Sequence, residues 1–350
     1  MKIVHILSSN SFSGAENVAC HIIEKTRAET DIQVIYCSPC GEISRVLEKR
    51  KIQFYPLEKM SVREIRKMVR TLSPDMIHAH DVRASVFAAF ACGKTTLISH
   101  IHNDARDSRR FSLRSVLYLI AARKARTLIW VTESARNGYY FEKRFRAKSV
   151  ILENTVCKEE LWARAKDCRH SVSYDAVFLG RLSYPKNPER ALRVFGAVAK
   201  RFPSARFAFI GDGNELPRLL EIKNKEFSDV NIDFLGFLEN PYGILKNAGA
   251  MLMTSEWEGM PMAALEAMTL GVPIVSTSID GLRPLVENGV TGYLCEKDED
   301  LAQSLMRLIG DRRFRERFSA SSLKKTSAVN EKSLDWDALF RIYFPPKNWG

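Results

Sequence analysis

Short apolar runs alternate with helical patterns along almost the whole chain, and this alternation limits the fold more than any other feature. In the first half the runs are Ile3–Leu7, Ile32–Cys37, Met76–His80, Thr96–His100, Leu128–Val131 and Val150–Leu152. In the second half they are Ala176–Leu179, Arg206–Ile210, Ile232–Leu235, Ala250–Met253, Ile274–Ser276 and Gly292–Cys295. Between them the apolar period predicts helices such as Glu16–Arg27, Ser61–Leu72, Glu189–Lys200, Pro261–Leu270 and Leu301–Gly310. Strands without polar alternation, each followed by a helix, call for parallel sheets covered on both faces. The pattern restarts near residue 174, and 350 residues exceed what one ordinary core holds. The expected architecture is α/β, with Rossmann-like domains at 1–165 and 166–330 and a C-terminal segment at 331–350. A linker is expected within 153–173, where charge is dense and periodicity poor. Parallel sheets of this kind bind ligands at the carboxyl ends of their strands. Two such domains facing each other make the cleft between them the expected site.

Composition excludes several classes. An apolar fraction of 45% with 27% charged residues describes a globular protein. No run of 18 or more apolar residues is present, so no membrane span is expected. Met1–Leu7 reads as a strand rather than a signal peptide. Seven cysteines, an odd number and scattered, favour free thiols in a cytoplasmic protein. Cys37-Ser38-Pro39-Cys40 lacks a second pair and a nearby histidine, and reads as a strand-end turn. The net charge of +12 is confined to one half: residues 1–170 hold 30 Lys/Arg against 18 Asp/Glu, and residues 171–350 hold 23 of each. The first half is therefore expected to meet an anionic surface or substrate.

The loops after strands carry the chemistry. Ser255-Glu256-Trp257-Glu258-Gly259-Met260-Pro261 is a polar turn set directly before a helix that holds Glu266. Unbonded N–H groups and the helix dipole at such a start favour a phosphate group. A carboxylate inside the helix can accept hydrogen bonds from sugar hydroxyls. The segment thus offers a diphosphate cradle beside a polyol clamp, as a nucleotide-sugar requires. Gly180-Arg181-Leu182-Ser183-Tyr184-Pro185-Lys186-Asn187 puts two cations beside another helix start. Arg181 as a forked donor and Lys186 as a point charge suit the same diphosphate. Gly211-Asp212-Gly213 and Gly236-Phe237-Leu238 follow further strands, and the second is placed to receive a nucleobase through backbone contacts. In the first half, Ser13-Gly14-Ala15-Glu16 opens a helix without forming a dinucleotide fingerprint. His78, His80, His100 and His102 sit at two neighbouring strand ends, each pair on one strand face. Zinc binding and polar lining of a cleft are both open to them. The lining is adopted, with His102 near the reacting sugar and no metal expected. Asp298-Glu299-Asp300 reads as an N-cap rather than a metal motif, and Asp335-Trp336-Asp337 as a helix start.

These pieces together resemble a family 4 retaining glycosyltransferase of the GT-B fold, over nearly the whole chain. The most specific part is Glu258-x7-Glu266 with Gly259-Met260-Pro261, followed by Glu266-Ala267-Met268-Thr269-Leu270-Gly271-Val272-Pro273. Gly180-Arg181 with Lys186, Gly211-Asp212-Gly213, Gly236-Phe237 and Asn288-Gly289-x-x-Gly292 support it. The resemblance implies that Glu266 binds the donor ribose and that Glu258 lies beside the donor sugar. It implies that the backbone of Gly259–Pro261, with Arg181 and Lys186, holds the diphosphate. The loop at Gly14 and His102 then face the transferred sugar and acceptor, and Trp336–Tyr343 forms a helix crossing back to the first domain. The chain departs from the family pattern at Ser13, where a Gly is usual, at Gly281-Leu282-Arg283-Pro284, where a Glu is often found, and at Asn154-Thr155, where Asn-Gly is usual.

The implied reaction is transfer of a hexosyl or N-acetylhexosaminyl group from a nucleotide-diphosphate sugar, UDP-sugar favoured, with retention. No cofactor or metal is expected; the nucleotide-sugar is the donor substrate. The acceptor is expected to be a glycan or a polyprenyl-diphosphate-linked glycan of surface polysaccharide biosynthesis. A GT-B epimerase or phosphorylase, or a non-catalytic nucleotide-sugar-binding protein, is the alternative. Residues 106–126 mix arginine with apolar residues, and Lys143-Arg144-Phe145-Arg146-Ala147-Lys148 follows Tyr139-Tyr140-Phe141. They read either as a core helix with a solvated basic face or as a peripheral contact with the anionic inner face of the cell membrane. No nucleic-acid-binding motif accompanies them.

Overall fold

The computed structural model describes residues 1–102, 109–166, 172–331 and 336–344. The chain separates into two compact units. One is Met1–Asn154 with the C-terminal segment that carries the helix Trp336–Tyr343, and the other is Thr155–Leu334.

The first unit is built on strands β1 (Lys2–Ile6), β2 (Gln33–Pro39), β3 (Phe54–Leu57), β4 (Met76–Ala79), β5 (Thr96–Ile101), β6 (Thr127–Trp130) and β7 (Ser149–Ile151). They form one sheet in the order β3-β2-β1-β4-β5-β6-β7, paired in parallel throughout. The second unit holds β8 (Ala176–Leu179), β9 (Arg206–Ile210), β10 (Asn231–Phe234), β11 (Met251–Met253), β12 (Ile274–Thr277) and β13 (Gly292–Cys295). Their order is β10-β9-β8-β11-β12-β13, again all parallel. In each sheet the order reverses beside the first strand, the doubly wound arrangement that brings ligand-binding loops together at the carboxyl edge. Helices such as Gly14–Glu29, Val62–Leu72, Pro188–Ala199 and Met262–Thr269 connect the strands. Their apolar faces close separate cores, one around Ile6, Ile77, Leu128 and Trp130 and one around Phe195, Phe207, Phe209 and Leu252.

Some elements depart from the sequence expectation. The strand Phe54–Leu57 was not anticipated, because Pro56 interrupts its apolar run. It is tolerated because β3 is an edge strand, where a missing N–H leaves no inner ladder bond unmade. The stretch expected as a linker contains a helix, Lys158–Lys166, and the units divide between Asn154 and Thr155. Asp298-Glu299-Asp300 does not cap its helix. The helix Asp298–Gly310 begins at Asp298, Lys297 occupies the cap position, and no side chain caps it. The three acids instead lie in the first turn, where the helix dipole favours negative charge, and Asp298 meets the Arg190 guanidinium at 2.5 Å.

The C-terminal helix Trp336–Tyr343 packs on the first unit. Leu339 and Tyr343 are buried, the Arg126 guanidinium donates to the Ile342 carbonyl, and the Lys25 ammonium lies 5.9 Å from the Trp336 ring. Asp335 lies outside the described residues. Cys37 is buried within β2 while Cys40 is exposed, and both are free thiols. No helix among the described residues is long and apolar enough to cross a membrane.

Candidate functional site

The carboxyl edge of the second sheet gathers most of the expected donor residues. Backbone bonds tie its loops into one surface. Gly180 N–H donates to the Ile210 carbonyl at 3.0 Å, Gly211 N–H to Gly236 at 2.8 Å and Leu182 N–H to Asp212 at 2.9 Å. On the other side Glu256 N–H donates to Pro185 at 2.9 Å, and the Thr254 hydroxyl donates to Asn187 at 2.7 Å. The Thr277 hydroxyl reaches the Ser255 carbonyl at 2.7 Å, which brings the end of β12 onto the same surface. Glycine is required at Gly211, where φ is +138° and a Cβ would stand 2.0 Å from the Gly180 carbonyl oxygen. At Gly281 a Cβ would stand 2.1 Å from the Gly259 oxygen, so the turn Glu258–Gly259 is held by close backbone contact.

Lys186 and Glu258 form an ion pair. The Ser255 hydroxyl also donates to the Glu258 carboxylate at 2.8 Å. Both charged side chains are largely covered, at 26% and 10% exposure. Lys186 is thus held by the Glu258 carboxylate rather than standing free. Arg181 is exposed and has no ion-pair partner among the described residues. Asn187, in the left-handed region at φ +50°, caps the helix Pro188–Ala199 by accepting from Arg190 N–H at 3.3 Å, which fixes where the Lys186 loop ends.

Glu266 lies in the helix Met262–Thr269, which starts after Pro261 with no side-chain cap. Gly259, Met260 and Pro261 are buried against the strand ends, and Leu238 is half-buried in the loop after β10. Glu266 itself is 8% exposed and accepts from the Tyr242 hydroxyl at 3.0 Å. Burial pushes its carboxyl up to about 7, against the opposing pull of the Tyr242 hydrogen bond and the Arg164 charge. The Arg164 guanidinium lies 4.5 Å from the centroid of the Tyr242 ring and donates to the Glu239 carbonyl at 2.7 Å. Tyr242 and Arg164 were not anticipated from sequence. Neither belongs to a recognisable motif, and Arg164 reaches the site only because the unanticipated helix Lys158–Lys166 packs there. Ser255 stood inside the motif but had no assigned role.

In the first unit Gly14 opens the helix Gly14–Glu29 without a positive φ. The Ser13 hydroxyl, in place of the usual glycine, is hydrogen-bonded to the Glu16 carboxylate. Asp81 accepts from the Ser8 N–H at 2.9 Å and hydroxyl at 2.7 Å and from Ala84 N–H at 2.6 Å, joining the ends of β1 and β4. His78, His80, His100 and His102 lie on one face of the sheet and are joined by His5, which the sequence reading left out. His5 and His78 are direct partners in the β1–β4 ladder, so they share a face. All five are buried, and burial lowers every one of them, His5 and His102 to about 3. They are neutral at pH 7. The triads His5–His78–His80 and His80–His100–His102 each bring ring nitrogens within 4.8 Å, a spacing open to a metal ion. Both nitrogens of His80, however, already serve hydrogen bonds to His5 and His102. Asn103 and Asp104 lie outside the described residues.

The basic stretch has two faces. Residues 106–108 lie outside the described residues. In the helix Leu113–Lys124, Ser115, Tyr118, Ala121 and Ala122 face the core. Leu113, Leu117 and Ile120 face out at 77%, 37% and 38% exposure. Phe111 and Tyr140, 70% and 53% exposed, meet edge to face at 5.9 Å. Arg110, Arg114, Arg123, Lys124, Lys143, Arg144 and Arg146 are exposed in the same segments. The helix is thus a core helix that also carries an outward apolar stripe among cations.

Two family models match the chain: Glycosyl transferases group 1 over residues 169–325 and Glycosyltransferase Family 4 over residues 12–156. An uncharacterised glycosyltransferase of Methanocaldococcus jannaschii is 27% identical over 236 residues, covering 61% of this chain and 58% of that protein, less than two thirds of its length. A UDP-Gal:alpha-D-GlcNAc-diphosphoundecaprenol alpha-1,3-galactosyltransferase of Escherichia coli is 24% identical over 351 residues, covering 89% of each chain. The crystal structure of Anabaena HepE with UDP and glucose superposes with a TM-score of 0.84 at 20% identity, over 97% of this chain and 99% of that one.

Proposed function

Because the chain belongs to the group 1 glycosyltransferases of family 4 and has their GT-B fold, we propose that it moves a sugar from a UDP-sugar to a lipid-linked glycan with retention at the anomeric carbon. The observation that carries this reading is the buried Glu266 carboxylate, one turn inside a helix that starts at a strand end, with Lys186 and Glu258 on loops tied to the same sheet edge. Glu266 accepts the ribose hydroxyls. The backbone of Gly259–Pro261, the helix start and the cations Arg181 and Lys186 take the diphosphate, while Gly211 and Leu238 line the nucleotide side. Glu258 lies beside the donor sugar.

The acceptor hydroxyl attacks from the face that the diphosphate leaves, and a leaving phosphate oxygen takes its proton. Negative charge grows on the diphosphate as the bond to the sugar breaks, and Lys186, Arg181 and the backbone donors stabilise it. These groups supply the charge that a metal supplies in other transferases, so no metal is required. HepE, solved with UDP, supports the choice of base. The Escherichia coli relative, named for a diphosphoundecaprenol-linked acceptor, supports a lipid-linked acceptor in surface-polysaccharide synthesis. UDP-, GDP- and ADP-sugars are screened for thermal stabilisation, and the anomeric configuration of the product is read by NMR. A UDP-sugar alone is expected to raise Tm, since bound ligand stabilises by mass action. Stabilisation only by another base rejects the donor assignment, and an inverted product rejects the mechanism.

A lipid-linked acceptor places the work at the cytoplasmic face of the membrane. The outward stripe of Phe111, Leu113, Leu117 and Ile120, set among exposed arginines and lysines, supports peripheral docking there. Vesicles rich in anionic lipid are expected to sediment the protein at low salt. Replacing Lys143, Arg144 and Arg146 with Ser is expected to weaken that partition about 100-fold, at about 1 kcal/mol per charge. Equal binding to neutral and anionic vesicles rejects the electrostatic part of this docking.

A further inference from the structure

The helix Lys158–Lys166 ties together three segments of the second unit that bear on Glu266. Leu161 and Ala165, one turn apart, are buried, and Trp162 and Arg164 flank that stripe on its two sides. The Trp162 indole N–H donates to the carbonyl of Thr269, the last residue of the helix that carries Glu266, at 3.0 Å. The ammonium of Lys246, which ends the helix Tyr242–Lys246, lies 4.5 Å from the centroid of the Trp162 ring. On the other side, the Arg164 guanidinium donates to the Glu239 carbonyl at 2.7 Å. The Asn240 side-chain amide donates back to the Arg164 carbonyl at 2.9 Å. Two bonds of opposite direction thus clasp the helix to the loop after β10.

The clasp sets a cation against an aromatic ring, with the Arg164 guanidinium 4.5 Å from the centroid of Tyr242. Tyr242 is 6% exposed, and a phenol buried to this degree needs a partner for its O–H. It finds one in Glu266 Oε1, at 3.0 Å. A carboxylate withdrawn from water is costly unless it is hydrogen-bonded, so this bond decides how the Glu266 side chain is held. Glu266 Oε2 accepts from no other group among the described residues.

We infer that Tyr242 and Arg164 are positioning residues: Arg164 holds the Tyr242 ring, and Tyr242 fixes one oxygen of Glu266 so that the other is left for the hydroxyls of the donor ribose. The ribose rests on the transferase reading above; the clasp and the Tyr242 bond do not. Both residues also act on the carboxyl's charge. Burial raises it to about 7, while the Tyr242 hydrogen bond and then the Arg164 charge pull it down. The helix Arg312–Glu331, which also packs on the Glu266 helix, brings the neutral Thr326 hydroxyl to the Met268 carbonyl at 3.5 Å. Loss of either positioning residue therefore raises the carboxyl further.

The test is 13C NMR of protein labelled at its glutamate carboxyls, without ligand, with Glu266→Gln used to assign the signal. The wild-type midpoint is expected near 7. Tyr242→Phe is expected to move it up by about one unit, the loss of one hydrogen bond to a charged group, and Arg164→Met by less. Arg164→Lys, which keeps the charge on a half-exposed helix position, is expected to return it to the wild-type value. At pH 7 Tyr242→Phe is expected to raise the donor KM about tenfold, with a much smaller change in kcat, because ribose contacts are made alike in the ground and transition states. Arg164→Met is expected to move KM in the same direction. Wild-type midpoints in both folded variants overturn the inference whether or not the protein transfers sugar. Shifted midpoints with a wild-type donor KM overturn the link to the ribose. If Glu266→Gln itself keeps the wild-type donor KM, the donor reading falls, and this inference falls with it.

Discussion

Replacing Glu266 with Gln is expected to stabilise the protein above pH 7 and, in the same variant, to lower kcat/KM for the donor about 100-fold. The stability effect follows from burial. An unfolded chain holds this carboxyl at its ordinary 4.5, whereas the folded protein raises it to about 7. The folded state therefore binds the proton more tightly. This contribution to stability is complete below pH 4.5, falls as pH rises from there through 7, and is absent above it. A shift of this size is worth on the order of 3 kcal/mol. Gln is isosteric, keeps a carbonyl for the Tyr242 hydroxyl and has no charge to bury. Its melting temperature is expected to match the wild type near pH 4.5 and to exceed it by several degrees at pH 8. The functional loss has the opposite sign because two ribose hydroxyls donating to an ionised carboxylate are each worth about 1.5–3 kcal/mol, and an amide oxygen accepts more weakly. The wild-type KM for the donor is expected to improve as pH rises through 7 and Glu266 ionises, whereas the variant shows no such dependence. Scanning calorimetry at pH 5 and 8 with donor kinetics over the same range decides the matter. A variant that keeps wild-type donor KM removes Glu266 from the site.

The strands were legible because parallel strands are buried on both faces, so their residues read as unbroken apolar runs such as Ala176–Leu179 and Phe207–Ile210. Phe54–Leu57 escaped because its proline is acceptable only at an edge, and edge position is a property of the sheet. The helix Lys158–Lys166 escaped because only Leu161 and Ala165 are buried in it. Trp162, which fastens it by donating to the Thr269 carbonyl at 3.0 Å, lies far from its partner in the chain. The donor motif was legible as a set of loops but not as a set of bonds. Spacing places Glu258 in a turn and Glu266 in a helix. It does not show that Glu258 pairs with Lys186 or that Glu266 pairs with Tyr242, because these partners come from segments after other strands, a loop for Lys186 and the start of a short helix for Tyr242. The histidines show the same limit. Alternation put His78 with His80 and His100 with His102, but their union with His5 depends on the register between strands, which no local pattern encodes.

Lys186→Ala is expected to reduce kcat about a thousandfold. The ammonium is only partly exposed and paired with a carboxylate, so it acts in a less screened environment than the exposed Arg181. A donor of this kind, fixed before the reaction and aimed at developing charge, is typically worth about 100- to 1000-fold in kcat. Arg181→Ala is expected to cost nearer tenfold, because solvent shields its charge. The ion pair adds a test that simple loss of activity does not provide. In the unliganded protein Glu258 competes with the diphosphate for Lys186. Glu258→Gln removes the competing charge while the Ser255 hydroxyl keeps an oxygen to donate to. UDP is therefore expected to bind Glu258→Gln more tightly than wild type, and wild type more tightly than Lys186→Ala. Transfer by Glu258→Gln nonetheless slows, because the group placed beside the donor sugar has lost its charge. Titration calorimetry with UDP measures the order of affinities and initial rates measure transfer. If Lys186→Ala binds UDP as tightly as the wild type and turns over at the same rate, the cation holding the diphosphate is not Lys186, and the role of Glu258 as its competitor falls with it.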